Sequence, residues 1–176
     1  MNLGQQQEFL TRLMDNTDRI LEEYQSARVR TLALPDWDEE CTPLDYWRQI
    51  TLWWEGEPQP VYQKKFPFCT DLFAHGPNHR ATGFLILNPH SKTPQHNHEG
   101  WPGRYILHLP LIVPEGDVGF WVDGQIHRWR VGEPFVFDEY KEHYGFNNTD
   151  GTRVMAAMCF DEEWKQALQP YMTFRT

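Results

Sequence analysis

Residues 134–160, PFVFDEYKEHYGFNNTDGTRVMAAMCF, decide how the chain is read. The runs PFVFD, HYGFN and TRVMAAMCF are short and apolar, polar turn residues separate them, and Asp150-Gly151 marks a reversal before the last run. Working backwards, IHRWRV (126–131), DVGFWVD (117–123), RYILHLPLIV (104–113) and ATGFLILN (81–88) repeat the pattern, with a hairpin signal at Asp123-Gly124. Short β-rich runs at this density predict a mainly β fold, an all-β sandwich or barrel.

The flanks read differently. Phe9, Leu10, Leu13, Met14, Ile20, Leu21 and Tyr24 recur at helical spacing, which predicts an amphipathic helix from Gln5 to about Ala27, bent near Asn16. Residues 28–60 carry Pro35, Pro43, Pro58 and Pro60 around YWRQITLWWEG, a short helix or strand among loops. The end, DEEWKQALQPYMTF, has room for one or two helical turns closed by Pro170. With 176 residues, a single domain over 1–176 is expected: a helical and loop part (1–79), a β core (80–160) and a tail (161–176).

Composition narrows the function classes. A net charge of −9 disfavours nucleic acid and anionic lipid as partners. No stretch is apolar enough to cross a bilayer, and MNLGQQQEFLTRL lacks the basic start and apolar run of a signal peptide. Cys41, Cys69 and Cys159 are odd in number and far apart, so neither a disulfide framework nor a zinc knuckle is expected and a reducing, cytoplasmic setting is the simplest reading.

Five of the eight histidines fall between His75 and His98. In Gln95-His96-Asn97-His98-Glu99-Gly100 the two imidazoles share one side of an extended segment, while Glu99 points to the other. Two such rings with a distant third are a plausible metal site. His143 follows the run PFVFD, and Arg153 lies ten residues beyond it, a metal ligand and a cation able to fork onto a carboxylate. The structural alternative pairs Arg153 with Asp138 or Asp150 at the surface and lets His143 cap a turn. Nothing in the settings of His75 and His127 points to a site.

Over residues 46–160 the chain resembles the aspartyl/asparaginyl β-hydroxylase family of iron(II) and 2-oxoglutarate oxygenases. The resemblance lies in His98-x-Gly100, in His108-Leu109 on a run ending Val113-Pro114, in Trp129 with the Gly132-Glu133 turn, in FDEYKEHYGFNNTD and in Arg153. It implies a double-stranded β-helix holding Fe(2+), with 2-oxoglutarate and O2 as co-substrates, that hydroxylates an unactivated C–H bond. His98 and His143 would be the iron ligands, Arg153 would hold the distal carboxylate of 2-oxoglutarate, and His108 would lie beside its near carboxylate. Gly100 stands where commoner oxygenases carry an acid, which agrees with the two-histidine site of this branch. Trp101, Trp121 and Phe146 would wall off water or simply fill the core.

This chain departs from the family at Ile106, where an arginine is usual; Arg104, on the same face, is one step further away. His96 stays open between third ligand, substrate contact and loop residue. The implied substrate is an amino acid, a peptide or a related small molecule. Two other functions fit the same residues. One is a three-histidine cupin dioxygenase using His96, His98 and His143 without 2-oxoglutarate, in which His143-x-x-x-Asn147 also has a counterpart. The other is a cupin-like module that binds a ligand and catalyses nothing.

Overall fold

The computed structural model describes residues 1–27, 47–76, 81–99 and 103–172. Expectations resting on Cys41, Gly100 and Trp101 lie outside the described residues.

The described strands form two antiparallel sheets. The larger contains β1 (Trp47–Trp54), β2 (Glu57–Pro58), β3 (Ala81–Leu87), β5 (Arg104–Ile112), β8 (Phe135–Asp138) and β10 (Arg153–Asp161), in the order β2-β1-β3-β10-β5-β8. The smaller contains β4 (Ser91–Lys92), β6 (Val118–Val122), β7 (Gln125–His127) and β9 (His143–Asn147), in the order β4-β9-β6-β7. Successive segments are thus shared between two facing sheets, as in a jelly roll. Asp123 (φ 46°) and Gly124 (φ 83°) both turn left-handed at the β6–β7 hairpin, as a primed two-residue turn requires.

Alternation along the central strands sorts side chains between two cores. From β10, Val154, Ala156, Met158 and Phe160 join Tyr105, Leu107, Leu109 and Leu111 of β5 in a core on one face of the large sheet. That face is covered by α1 (Leu3–Asp15), α2 (Thr17–Ala27), α4 (Pro67–Ala74) and α5 (Lys165–Leu168), which contribute Phe9, Leu13, Ile20, Phe73 and Leu168; α3 (Pro60–Gln63) is a single turn at its edge. Each such side chain, fully buried, contributes about 1.5–3 kcal/mol. The opposite face meets the small sheet across Val118, Phe120, Val122, Trp129, Phe135, Phe137 and Met155. Against this second core lie the buried polar groups His108, His143 and Arg153, and Glu139 is buried beside His98.

The N-terminal helix is interrupted at the expected place. The Asn16 amide donates to the Arg12 carbonyl (2.7 Å) and the Thr17 hydroxyl to that of Met14 (2.7 Å), so side chains replace the ladder where α1 passes to α2. Glu23 of α2 accepts from the amides of Phe68 and Cys69, both at 2.8 Å, and so caps α4 from outside. Two features differ from the sequence expectation. β1, from the segment read as helix or strand, pairs along β3, so the sheet begins ahead of residue 80. IHRWRV is a strand only to His127; Arg128 then donates to the Val118 carbonyl and pairs with Asp117 (2.7 Å), while Trp129 turns into the inter-sheet core.

Candidate metal centre

His143 opens β9 and shares its inward face with Gly145 and Asn147. His96 bridges to it: the His96 amide donates to the His143 carbonyl (3.1 Å) and the His143 amide donates to that of His96 (2.8 Å). Two residues on, the His98 amide donates to the Glu139 carbonyl (3.2 Å), so this short segment is tied to two strand ends. The result is a cluster in which one ligating atom from each of His96, His98 and His143 lies within 4.8 Å of the others.

Local hydrogen bonds select the ring nitrogens. Nδ1 of His143 is 2.7 Å from the Lys141 carbonyl and Nδ1 of His96 is 2.8 Å from that of Pro94. A carbonyl only accepts, so both Nδ1 atoms carry the proton and both Nε2 atoms keep a lone pair. Burial pushes His143 down to about 3 and His98 down to about 4, each helped by the neighbouring His96, and burial lowers His96 as well. Near neutral pH the cluster therefore presents uncharged imidazoles, the form that binds a metal.

A carboxylate stands beside this cluster. Glu139 follows β8, is 3% exposed, and has Oε1 3.6 Å from His98 Nε2; its Oε2 is buried and makes no hydrogen bond. Burial raises its acid to about 7 against the lowering effect of Arg104. Sequence reasoning passed over this residue, although Phe135, Phe137 and Glu139 alternate onto one face and the first two fill the inter-sheet core. Glu99 is exposed, as expected.

Deeper between the sheets, Arg153 opens β10 and is 3% exposed. Its guanidinium carbon sits 4.7 Å from the centre of the Trp129 ring, Nη1 donates to the Leu85 carbonyl at 3.4 Å, and Nε is buried without a hydrogen-bond partner. Burial lowers Arg153 to about 9, which leaves it charged at neutral pH. The surface pairing does not occur: Asp138 accepts from the Tyr140 amide (3.0 Å), and Asp150 lies 2.8 Å from His90. Trp129 Nε1 and His108 Nδ1 are likewise buried and unbonded. His108, on β5, contacts Phe120 and Phe137 (both 5.2 Å between ring centres) and is held neutral by burial, then by the charge of Arg153.

Backbone economy leaves room here. A Cβ on Gly145 would stand 3.6 Å from Arg153 Nη2, 3.6 Å from the Trp129 ring and 3.7 Å from Leu87, so this glycine faces the guanidinium. Thr93 holds the strand in place, its hydroxyl accepting from the Gly145 amide (2.8 Å). Asn147 donates to the carbonyls of Leu87, Asn88 and Gly151, a set of bonds that locks a turn and leaves it no ligand role. Arg104 lies at the other end of β5, 3.6 Å from Asp161, and its field acts on Glu139. The structure thus brings His96, His98 and His143 to one place, with Glu139 beside His98, and His108, Trp129 and Arg153 to the adjoining layer, with Arg104 close enough for its charge to act on Glu139.

The sequence profile of the aspartyl/asparaginyl beta-hydroxylase family matches residues 14–162. The chain belongs to this family. Among curated relatives, an ornithine lipid ester-linked acyl 2-hydroxylase from Rhizobium tropici is 38% identical over 79 residues, which take in 44% of this chain and 28% of that protein. Among solved structures, an oxidoreductase of the 2OG-Fe(II) oxygenase family from Burkholderia pseudomallei superposes with a TM-score of 0.51 at 15% identity, covering 81% of this chain and 77% of that one. A Cupin 2 conserved barrel domain protein from Salinispora arenicola gives 0.43 at 17% identity, over 80% and 99% of the two chains. The Burkholderia structure establishes the shared fold, which is the double-stranded β-helix expected of the family. Among the described residues, no helix is long and apolar enough to cross a membrane.

Proposed function

We propose that the protein is an iron(II)- and 2-oxoglutarate-dependent dioxygenase that hydroxylates an unactivated C–H bond of an amino acid, a peptide or a related small substrate. The observation that carries this reading is the buried, charged Arg153 with unbonded donors on Arg153 and Trp129 and an unbonded ring nitrogen on His108, set in the layer next to three converging neutral imidazoles. A buried cation without a counter-charge costs several kcal/mol, and a carboxylate-bearing ligand would repay it. The histidine set suits a divalent transition metal by donor type and protonation state.

Iron(II), when bound, supplies the activation of O2 that is coupled to oxidative decarboxylation of 2-oxoglutarate to succinate and carbon dioxide. The chain's own part is positional. His98 and His143 hold the metal through ring nitrogens, and the Lys141 carbonyl keeps the His143 ring in one tautomer. Arg153 takes the distal carboxylate of 2-oxoglutarate, with His108 alongside the near one. Phe120, Phe137 and Trp129 exclude bulk water from the space between.

Succinate release tests the reading. His98→Ala and His143→Ala should each abolish iron-dependent, 2-oxoglutarate-dependent succinate formation, whereas Arg153→Ala should mainly raise the 2-oxoglutarate requirement, on the order of 10- to 100-fold. Unchanged turnover in both histidine variants would overturn the assignment. The convergence of His96 on the cluster favours one second reading, a three-histidine dioxygenase that needs no 2-oxoglutarate; oxygen uptake independent of added 2-oxoglutarate would favour it. The name of the Rhizobium relative adds acyl chains to the substrates that a mass-spectrometric screen for one gained oxygen should include.

A further inference from the structure

We infer that Trp129 is the second donor of the 2-oxo acid site: its indole N–H hydrogen-bonds the distal carboxylate that Arg153 holds by charge, and together they select 2-oxo acids with a second carboxylate. The inference deepens the reading of Arg153 as the co-substrate's anchor and rests on it.

The path of the chain brings the indole there. β7 ends at His127, Arg128 is held by the Val118 carbonyl (2.9 Å) and by Asp117 (2.7 Å), and the next side chain turns inward. Trp129 is 4% exposed, with its ring centre 5.8 Å from that of Phe120 and 6.1 Å from that of His108. Packing accounts for the ring but not for its nitrogen. Nε1 is shut from solvent and makes no hydrogen bond. A buried indole N–H ordinarily finds an acceptor, because it gives up water on folding, and a phenylalanine would pack here without that loss.

The neighbours of the indole say which acceptor fits. The Arg153 guanidinium carbon lies 4.7 Å from the ring centre, and Nε of the same arginine is also buried and unbonded. Burial alone shifts the ionisation of Arg153, so among the described residues no carboxylate neutralises it. Two unpaired donor groups in contact, one of them cationic, call for an anion with two acceptor oxygens. A carboxylate meets both, with one oxygen on the guanidinium and the other on the indole.

Gly145 keeps the room for it. A Cβ there would stand 3.6 Å from Arg153 Nη2 and 3.6 Å from Trp129 Cη2, and Cη2 lies on the same long edge of the indole as Nε1. Thr93 pins this backbone by accepting from the Gly145 amide (2.8 Å). The keto oxygen and near carboxylate of a 2-oxo acid belong at the metal, so only a distal group reaches this layer. Donors placed here reject an acid that lacks it, since its binding would leave them buried and unpaired.

The test follows the indole itself. The full chain, labelled with 15N at tryptophan and loaded with Zn(II) as a diamagnetic, redox-inactive metal, is titrated with 2-oxoglutarate; the Trp129 N–H signal is the one lost in Trp129→Phe. Hydrogen bonding should move that signal to higher frequency in both dimensions, whereas 2-oxobutyrate, which lacks only the distal carboxylate, should leave it in place. By calorimetry, Trp129→Phe should weaken 2-oxoglutarate on the order of 10- to 100-fold and leave Zn(II) affinity unchanged. An indole signal unmoved at saturation overturns the proposal, and so does a Trp129→Phe variant that binds 2-oxoglutarate as the unaltered protein does. Should that variant fail to fold, benzothienylalanine at position 129 replaces the N–H by sulfur at nearly constant shape and supplies both the assignment and the affinity. Arg153→Ala separates the two levels. Unchanged 2-oxoglutarate binding in Arg153→Ala would refute the anion site itself, whereas a loss there with none in the Trp129 variants would refute only the tryptophan's part.

Discussion

At the residue scale the site is a set of groups whose ordinary ionisation has been altered by burial. His96, His98, His108 and His143 are all pushed down, whereas an unfolded chain would titrate them near about 6.5. The folded chain therefore binds fewer protons, and the stability this represents is present above about pH 6.5 and lost as the pH falls towards the folded values. Glu139 works in the opposite sense. Its acid is raised to about 7, so the stability it adds is complete below the unfolded value of 4.5 and is lost as the pH rises through 7. Metal-free protein should consequently show a melting temperature that drops below about pH 6.5, and the gain in melting temperature from Glu139→Gln should grow as the pH is raised from about 5 to 8. A gain that shrinks over that interval would mean the carboxylate is satisfied in some other way. Gly145→Ala makes a second prediction. The added methyl meets only ordinary contacts at 3.6–3.7 Å and should leave stability nearly unchanged, yet it occupies the space beside the Arg153 guanidinium. 2-Oxoglutarate binding should weaken roughly 10-fold or more.

Elements place these residues, and their legibility in the sequence follows from period and context. Runs such as TRVMAAMCF are apolar on both faces because β10 lies between two cores, and HYGFN is bounded by polar turns; both are legible as strands in the sequence. WRQITLWW was ambiguous because it lacks a clean alternation, and the register shift between Thr51 and Trp53 explains why: a bulge breaks the period of two. Gly83 faces that bulge, and a Cβ there would run into the Ile50 carbonyl oxygen, so Gly83→Ala should destabilise the protein by about 1–3 kcal/mol in chemical unfolding. His98, His143 and Arg153 were legible through motif and spacing. Glu139 was not, since its position comes from pairing across the chain: the end of β8 brings it alongside His98, far earlier in sequence, which no local pattern encodes. His96 is ambiguous in sequence for the same reason, as its bridge to His143 is what brings it to the cluster.

For the whole molecule, the two cores divide the work. Helices and the outer face of the large sheet form a core of Phe, Leu and Ile side chains, and the inter-sheet layer carries the polar residues whose burial costs stability. A metal bound only by the folded chain should return part of that cost: at a free concentration 100 times Kd it adds about 2.7 kcal/mol, to be seen as a rise in melting temperature that a chelator reverses. His127→Ala, away from the cluster and stacked on Phe135 at 4.0 Å, should leave that metal-dependent rise intact even if it lowers the starting value. The central claim is that the histidine cluster and Arg153 serve one metal and one 2-oxo acid together. The most direct measurement is an anaerobic titration of the protein with iron(II) and 2-oxoglutarate, followed in the visible range. A charge-transfer band that requires both components, disappears in His143→Ala and needs more 2-oxoglutarate in Arg153→Ala is the expected result; no band in the unaltered protein, or one indifferent to both substitutions, would contradict it.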